Sequence, residues 1–310
     1  LRRVSTFHEG WTLEALEQVG YEEHERHRAL DELDSLVEKG LVRVVGSGER
    51  YALLETIRAF AAGQLHASGE VHAARHAHSD YFLAFGSGVD AGIKGTGQLE
   101  AVDRARGDNA NMHAAIQWLT ACARAGDPAA LEKGLLLAGH LNWFWHMGGQ
   151  HLTARVTVDA LLALAAGAAP SRGRGLALLG SAMISTVTGE WGRCLGESTA
   201  AYQEGLAVGD EPVTIEGILF VGYCHLHGGR MAEARAAFDE GIERSAGGVS
   251  DFFHSLGPTL EGMLLFANGD LNAGKALVEQ ARRLQERAGD YELGGLALSL
   301  IRIENCGPVL

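Results

Sequence analysis

From about residue 131 onward, apolar positions recur three and four apart and are broken at regular points by short glycine-containing turns. Met231–Arg244 carries the pattern in full. Ala234, Phe238, Gly241 and Ile242 fall on one helical face, with Glu233, Arg235, Asp239, Glu240 and Glu243 largely off it. Four turns, Gly149-Gln150-His151, Gly189-Glu190-Trp191, Gly229-Arg230-Met231 and Gly269-Asp270-Leu271, follow one another at intervals of 40 residues. Five residues after each turn glycine stands a small residue (Ala154, Cys194, Ala234, Gly274), and seven before it stand Asn142, Ala182, Gly222 and Gly262. Gly209-Asp210 and Gly289-Asp290 lie 80 residues apart, two periods. This register predicts pairs of antiparallel helices. Each first helix ends at a glycine free to take positive φ, and small residues stand where two backbones approach closely. One such pair cannot bury its apolar face alone, so neighbours are expected to stack into an α-solenoid of about four repeats.

Residues 11–55 follow a different plan. Trp11–Val19 reads as a short helix and Arg26–Lys39 as a longer one, with Ala29, Leu30, Leu33, Leu36 and Val37 forming its stripe and Gly40 ending it. Leu41–Val45 and Arg50–Leu54 flank Gly46-Ser47-Gly48-Glu49, a β-hairpin signal. Helix, helix and hairpin make a winged-helix plan. The expected organisation is mostly α: a winged-helix-like unit over 1–55, a helical connector over 56–130, and the repeat array over 131–310. Gly86, Gly88, Gly92, Gly95 and Gly97 are assigned to a mobile loop within the connector.

Composition narrows the function class. The 310 residues are 46% hydrophobic and 21% charged, which excludes wholesale disorder. The longest apolar candidate, Ala160–Ala169, is far short of the roughly 18 residues a membrane span needs. A net charge of −13 argues against the bulk of the chain lying along a phosphate backbone. Cys122, Cys194, Cys224 and Cys306 are far apart in sequence; two disulfides are formally available, and a reduced, cytoplasmic chain is the expectation. The first residues form no signal peptide, and a start inside a helical pattern suggests a piece of a longer protein.

Catalytic and metal chemistry find little support. There is no G-x-x-x-x-G-K-[ST], and Gly92-Ile93-Lys94-Gly95-Thr96-Gly97 reads as a flexible turn rather than a phosphate cradle. No nucleophile elbow or paired-carboxylate motif occurs, so neither an enzyme activity nor a cofactor is expected. His72 and His76 share one helical face, but no cysteine or acidic partner is evident beyond Glu70 and Asp80, and a solvated histidine face is expected in place of a metal site. A winged helix would read DNA with its second helix. Here that helix carries Asp31, Glu32, Asp34 and Glu38 against Arg28 and Lys39, within a stretch (1–60) of 8 basic and 12 acidic residues. A packing role is expected for it, with DNA binding through 11–55 as a remote alternative.

The repeats resemble tetratricopeptide (TPR) repeats: Gly222, Gly229-Arg230-Met231, Ala234, Phe238 and Gly241 fit that signature, with a period of 40 where the family has 34 and with several large aromatics missing. Pro258 falls inside the fourth repeat's first helix or near its start. Further stretches resemble bacterial STAND-type regulators, signal-transduction ATPases with numerous domains that include the large LuxR-type and antibiotic-pathway activators. These are Leu1–Phe7 with Gly10–Ala15, Leu33–Val42, Arg50–Ala61, Asp108-Asn109-x-Asn111-Met112-x-Ala114-Ala115-Ile116-x-Trp118, and Leu141–Trp145. The resemblance implies an upstream nucleotide-binding domain of the same protein, against which the winged helix packs to hold an ADP-bound resting state. It implies a TPR array acting as sensor for an unknown small-molecule inducer or a protein or peptide partner, and a separate DNA-binding domain. A homo-oligomer is left open, and a plain peptide-binding scaffold is the alternative. In TPR superhelices the first helix of each pair lines the concave groove. The residues six before each turn glycine are Trp143, Met183, Tyr223 and Met263; those three before are His146, Thr186, Leu226 and Phe266; those two before are Met147, Val187, His227 and Ala267. From these columns the candidate groove set is Trp143, His146, Met147, Met183, Thr186, Tyr223, His227, Met263 and Phe266, with space-filling between helices as the competing role.

Overall fold

A computed structural model describes residues 1–46, 49–247 and 251–288. It divides into two compact units, one of residues 1–87 with 104–130 and the other of 88–103 with 131–310. The expected connector is therefore shared between the two units, with its stretch 88–103 belonging to the array.

In the first unit, β1 (Trp11–Thr12) runs into α1 (Leu13–Gly20), whose entry is fixed by Thr12 Oγ1 accepting from the Ala15 N–H. The longer sequence-predicted helix is α2 (Ala29–Glu38), preceded by a 3-10 turn over Glu23–Arg28 and followed by Gly40 at φ +67°. β2 (Val42–Val45) and β3 (Arg50–Leu53) form the hairpin, pairing Val42 with Leu53 and Val45 with Arg50, and β1 adds to the far side of β3 to give the antiparallel order β1-β3-β2. Ser47 and Gly48 of the turn lie outside the described residues. Helices α3 (Glu55–Ala67), α4 (Val71–Ile93) and α5 (Gln98–Arg124) follow. Phe7 stacks on Trp11 at 5.6 Å and meets Phe82 of α4 edge-on, closing the core under the sheet.

The Asp108–Asn111 stretch of α5 acts as a clamp on this sheet. Asp108 accepts two guanidinium hydrogen bonds from Arg50 at 2.8 and 2.9 Å, and Asn111 Nδ2 donates to the Gly10 carbonyl at 2.9 Å. Asn111 Oδ1 in turn accepts from the His8 N–H at 2.6 Å. Asn111 is fully buried, so each of these bonds satisfies a group that would otherwise be stranded away from water.

The glycine-rich run 86–97 corrects the sequence expectation of a mobile loop. Gly86, Gly88 and Gly92 lie within α4, and the chain turns back through 94–97 into α5. A Cβ on Gly92 would sit 2.7 Å from Cβ of Ala101, so glycine here allows two helices to pack closely at a hairpin.

The second unit is a stack of helix pairs: α6 (Pro128–His140), α7 (Asn142–Met147) with α8 (His151–Leu164), α9 (Arg172–Thr188) with α10 (Trp191–Val208), α11 (Glu211–His227) with α12 (Met231–Ser245), and α13 (Asp251–Ala267) with α14 (Leu271–Ala288). The TPR-like solenoid read from the sequence is what forms. Gly149, Gly189, Gly229 and Gly269 take φ of +66°, +73°, +70° and +82°. The small residues of the repeat, Ala154, Ala182, Cys194 and Ala234, have no exposed surface. Pro258 lies within α13, and Gly289-Asp290 falls outside the described residues, as does Cys306. The three described cysteines are free. Cys194 and Cys224, distant in sequence, meet in the core with Sγ atoms 2.8 Å apart, the Cys224 thiol donating.

A Cβ on Gly222 would meet the Phe238 ring at 2.5 Å, whereas one on Gly196 of α10 would meet nothing within 4 Å. Gly222→Ala is expected to destabilise the chain by about 1–3 kcal/mol through overpacking. Gly196→Ala should stabilise it by about 0.5–1 kcal/mol through helix propensity. Urea unfolding of the two variants checks both signs.

Candidate functional site

The first helices of the pairs, α7, α9, α11 and α13, face the inside of the array, and the inside is narrow. Trp143 of α7 meets Phe252 of α13 edge-to-face at 5.2 Å, so the first and fourth pairs touch across it. Trp143 Nε1 also donates to Oε1 of Glu216 on α11 at 3.0 Å. Of the nine residues singled out in the sequence, Trp143 is thus buried inside the array. Met183 is also buried and, with half-buried His146, borders a cavity of about 10 Å³ between α7, α8 and α9. Tyr223 and His227 are brought together with Trp191, the His227 ring stacking on Trp191 at 4.0 Å and Tyr223 meeting both edge-on. The Thr186 hydroxyl donates to the Met183 carbonyl in its own helix. Phe266 lies against Gly274 of α14, and Met147 and Met263 are half-buried on α7 and α13.

The most chemically charged feature of the inner side was not among those nine. Ile93 and Lys94, at the end of α4, are inserted there. Lys94 Nζ stands 3.1 Å from Oε2 of Glu216 and 3.2 Å from Oδ1 of Asp90, and 5.9 and 5.8 Å from the ring centres of Phe252 and Phe253. Asp90 is held from its other side by His140 of α6, whose Nδ1 is 2.9 Å from Oδ2. Glu216 is 1% exposed and Ile93 fully buried, so the group is a closed ionic cluster walled by Trp143, Phe252 and Phe253.

Burial alone would drive Lys94 to lose its proton, but the carboxylates of Glu216 and Asp90 outweigh it and raise the ammonium above its ordinary value. Burial likewise pushes Asp90 up, and Lys94 and His140 overcome that push, holding its carboxyl below the ordinary range. Two carboxylates, Glu216 and Asp90, face the one ammonium of Lys94. The setting is therefore acidic and aromatic, the combination that holds an alkylammonium or guanidinium by charge and ring face together. A sequence signal did exist, since Lys94 is a lone cation in a run of glycines; its partner Glu216 lies 122 residues away and no periodicity links them.

Two other sequence readings can be placed. The exposed face of α2 carries Leu30, Asp31, Asp34, Glu38 and Lys39, an acidic surface unsuited to a phosphate backbone. The expectation that His72 and His76 lack a thiol partner is corrected. Cys122 comes from α5 to lie with them, which sequence spacing could not show because the helices are antiparallel neighbours.

No protein-family model matches the chain. It is 29% identical over 306 residues to proteins from Mycobacterium bovis and Mycobacterium tuberculosis whose names describe them as HTH-type transcriptional regulators, and the match covers 93% of this chain. The chain spans about a third (33%) of the length of these curated relatives. Among solved structures, a Signal Transduction ATPase with Numerous Domains (STAND) protein with a tetratricopeptide repeat sensor, from Pyrococcus horikoshii, aligns with 96% of this chain and 52% of its own at 14% identity and a TM-score of 0.45. No described helix is long and apolar enough to cross a membrane.

Removing one partner of the buried cluster should be costly. Lys94→Met, which keeps an apolar stem against Phe252 and Phe253, is expected to destabilise by about 3–5 kcal/mol by stranding Glu216 and Asp90. Adding Glu216→Gln should recover part of that loss, and urea unfolding of the single and double variants measures the recovery. The stability that Asp90 supplies is present above the ordinary carboxylate value of 3.8 and lost as pH falls through its lower folded value. That of Lys94 is complete below its ordinary 10.5 and lost as pH rises through its higher folded value. The difference in thermal midpoint between the chain and Lys94→Met should therefore be largest between about pH 4 and 10 and shrink on both sides.

Proposed function

We propose that the chain is the sensor region of a STAND-type transcriptional regulator. The TPR-like array receives an effector on its inner side. The winged-helix unit carries the change to a nucleotide-binding domain of the same protein, and DNA is bound elsewhere in that protein. The observation that carries this reading is Lys94 itself. The inner side already holds an inserted stretch of chain, 88–103, whose Lys94 pairs with Asp90 of the same stretch and with Glu216 of α11 and is flanked by the rings of Phe252 and Phe253. That stretch is an in-built occupant, and it displays the chemistry the inner side recognises.

An effector that binds better when the occupant is displaced shifts the array between two states by its differential affinity. The acidic and aromatic lining favours an effector with an alkylammonium or guanidinium group, either a small inducer or the lysine or arginine of a peptide. Tyr223 and His227 at the end of α11, with Trp191 at the start of α10, supply a further ring surface. The names of the mycobacterial relatives support a role in transcription regulation. The acidic outer face of α2 supports packing over DNA reading for the winged helix.

Hydrogen exchange of the intact chain tests the proposal against a panel of polyamines, basic amino acids and lysine-containing peptides. A ligand should speed exchange in 88–103 while protecting α11 and α13, and Glu216→Gln should weaken its binding. A panel with no binder, or binding that leaves 88–103 unchanged, would sink the reading. In gel retardation at low salt, the intact chain is expected to leave duplex DNA unshifted; a salt-sensitive shift would restore the DNA-binding alternative.

A further inference from the structure

The first unit carries a second constellation, unrelated to the Lys94 cluster. His72 and His76 stand one turn apart on α4, with ring centres 4.5 Å apart. Trp118 and Cys122 stand one turn apart on α5. The Trp118 indole meets both imidazoles edge-to-face, at 5.2 and 5.8 Å, and so fixes the side from which they are approached. Arg75 covers the indole at 5.1 Å, which holds the ring in place. One ligand atom each from His72, His76 and Cys122 lies within 4.8 Å of the others.

The donor set and spacing point to a metal. A tetrahedral zinc-class ion, with bonds of about 2.0–2.1 Å to nitrogen and 2.3 Å to sulfur, places its donors about 3.3–3.7 Å apart. The three atoms need close in by only about an ångström, and His72, exposed at the surface, is free to turn toward the other two. Histidines at i and i+4 on one helix share a face, and the thiol comes from the facing helix, so the three converge without backbone change. We propose that His72, His76 and Cys122 form a binding site for a borderline-soft divalent cation of the zinc class, with a fourth position open to water. On binding, the Cys122 S–H proton leaves to solvent and a metal–sulfur bond takes its place. Burial, with Asp127 adding to it, pushes the Cys122 thiol up, so without metal it is a neutral buried thiol. Two imidazoles and one thiolate suit zinc, cobalt or nickel better than magnesium or calcium, which prefer oxygen donors. An ion here would fasten the start of α4 to the end of α5.

Cobalt(II) is the probe, because a thiolate ligand gives it a near-ultraviolet charge-transfer band that nitrogen and oxygen ligands do not. The reduced, metal-free intact chain titrated with cobalt should develop the band with one equivalent, and zinc should bleach it. Cys122→Ser should abolish the band, and His72→Ala, at an exposed position that leaves the fold undisturbed, should weaken binding at least about tenfold. Cys194, Cys224 and Cys306 are unchanged in both variants. A band that survives Cys122→Ser, an affinity unaffected by His72→Ala, or no band at all would overturn the proposal. Circular dichroism of Cys122→Ser separates a lost ligand from a lost fold, and if that variant is unfolded, His72→Ala alone decides.

Discussion

The array depends on how closely two helix backbones can come together. Each pair is pressed at positions where a methyl group is already the upper limit or too much. Ala154, Ala182, Cys194 and Ala234 are sealed from solvent, and at Gly222 even a methyl would collide with Phe238. Close approach at these points turns weak dispersion contacts into a continuous packed seam and leaves no room for alternative registers. The 40-residue period is the sequence trace of that seam. Ion pairs between neighbouring pairs reinforce it at the edges, as where Arg155 of α8 reaches Ser181, Ser185 and Glu197 across α9 and α10. They ride on spacing the small residues have already set.

This is why the repeat was readable before any coordinates. Small residues at fixed distance from a positive-φ glycine are local facts, and local facts survive in sequence. The helix ends at Gly149, Gly189, Gly229 and Gly269 follow from the same logic. The β2–β3 hairpin and α2 were readable for a similar reason, since hairpin and helix signals are short-range, whereas β1 at Trp11–Thr12, read from sequence as the start of a helix, depends on pairing with the distant β3. What escaped was whatever depended on distant partners. The glycines around Lys94 look like a loop until Ala101 and Glu216 are seen to occupy the space they leave. His72 and His76 look like a solvated face until Cys122 arrives from the antiparallel helix. The nine groove residues were chosen from column position alone, and position does not say that Trp143 meets Phe252 while Tyr223 meets Trp191.

Two ionic clamps act in contrasting ways. In the first unit, Arg50, Asp108 and Asn111 join strand, helix and the Gly10 carbonyl through hydrogen bonds of fixed direction. Such a clamp has one good geometry, and it stiffens the unit around the Asp108–Asn111 stretch. In the second, Lys94 is a point charge on a flexible stem, with two carboxylates within reach and ring faces around it. The first clamp is directional and the second is a point charge held by its surroundings.

The touch between Trp143 and Phe252 has a thermodynamic consequence of its own. Repeat arrays usually behave as one-dimensional chains, in which each unit senses only its neighbours and stability accumulates unit by unit. Here the first and fourth pairs are neighbours in space, and Glu216 of the third pair accepts a hydrogen bond from Trp143 of the first. That converts a line into a loop. Loss of the last pair would cost its own interface and also the closure of the first, so the array should lose its units together, and strain introduced at either end is felt at the other without passing through every repeat between.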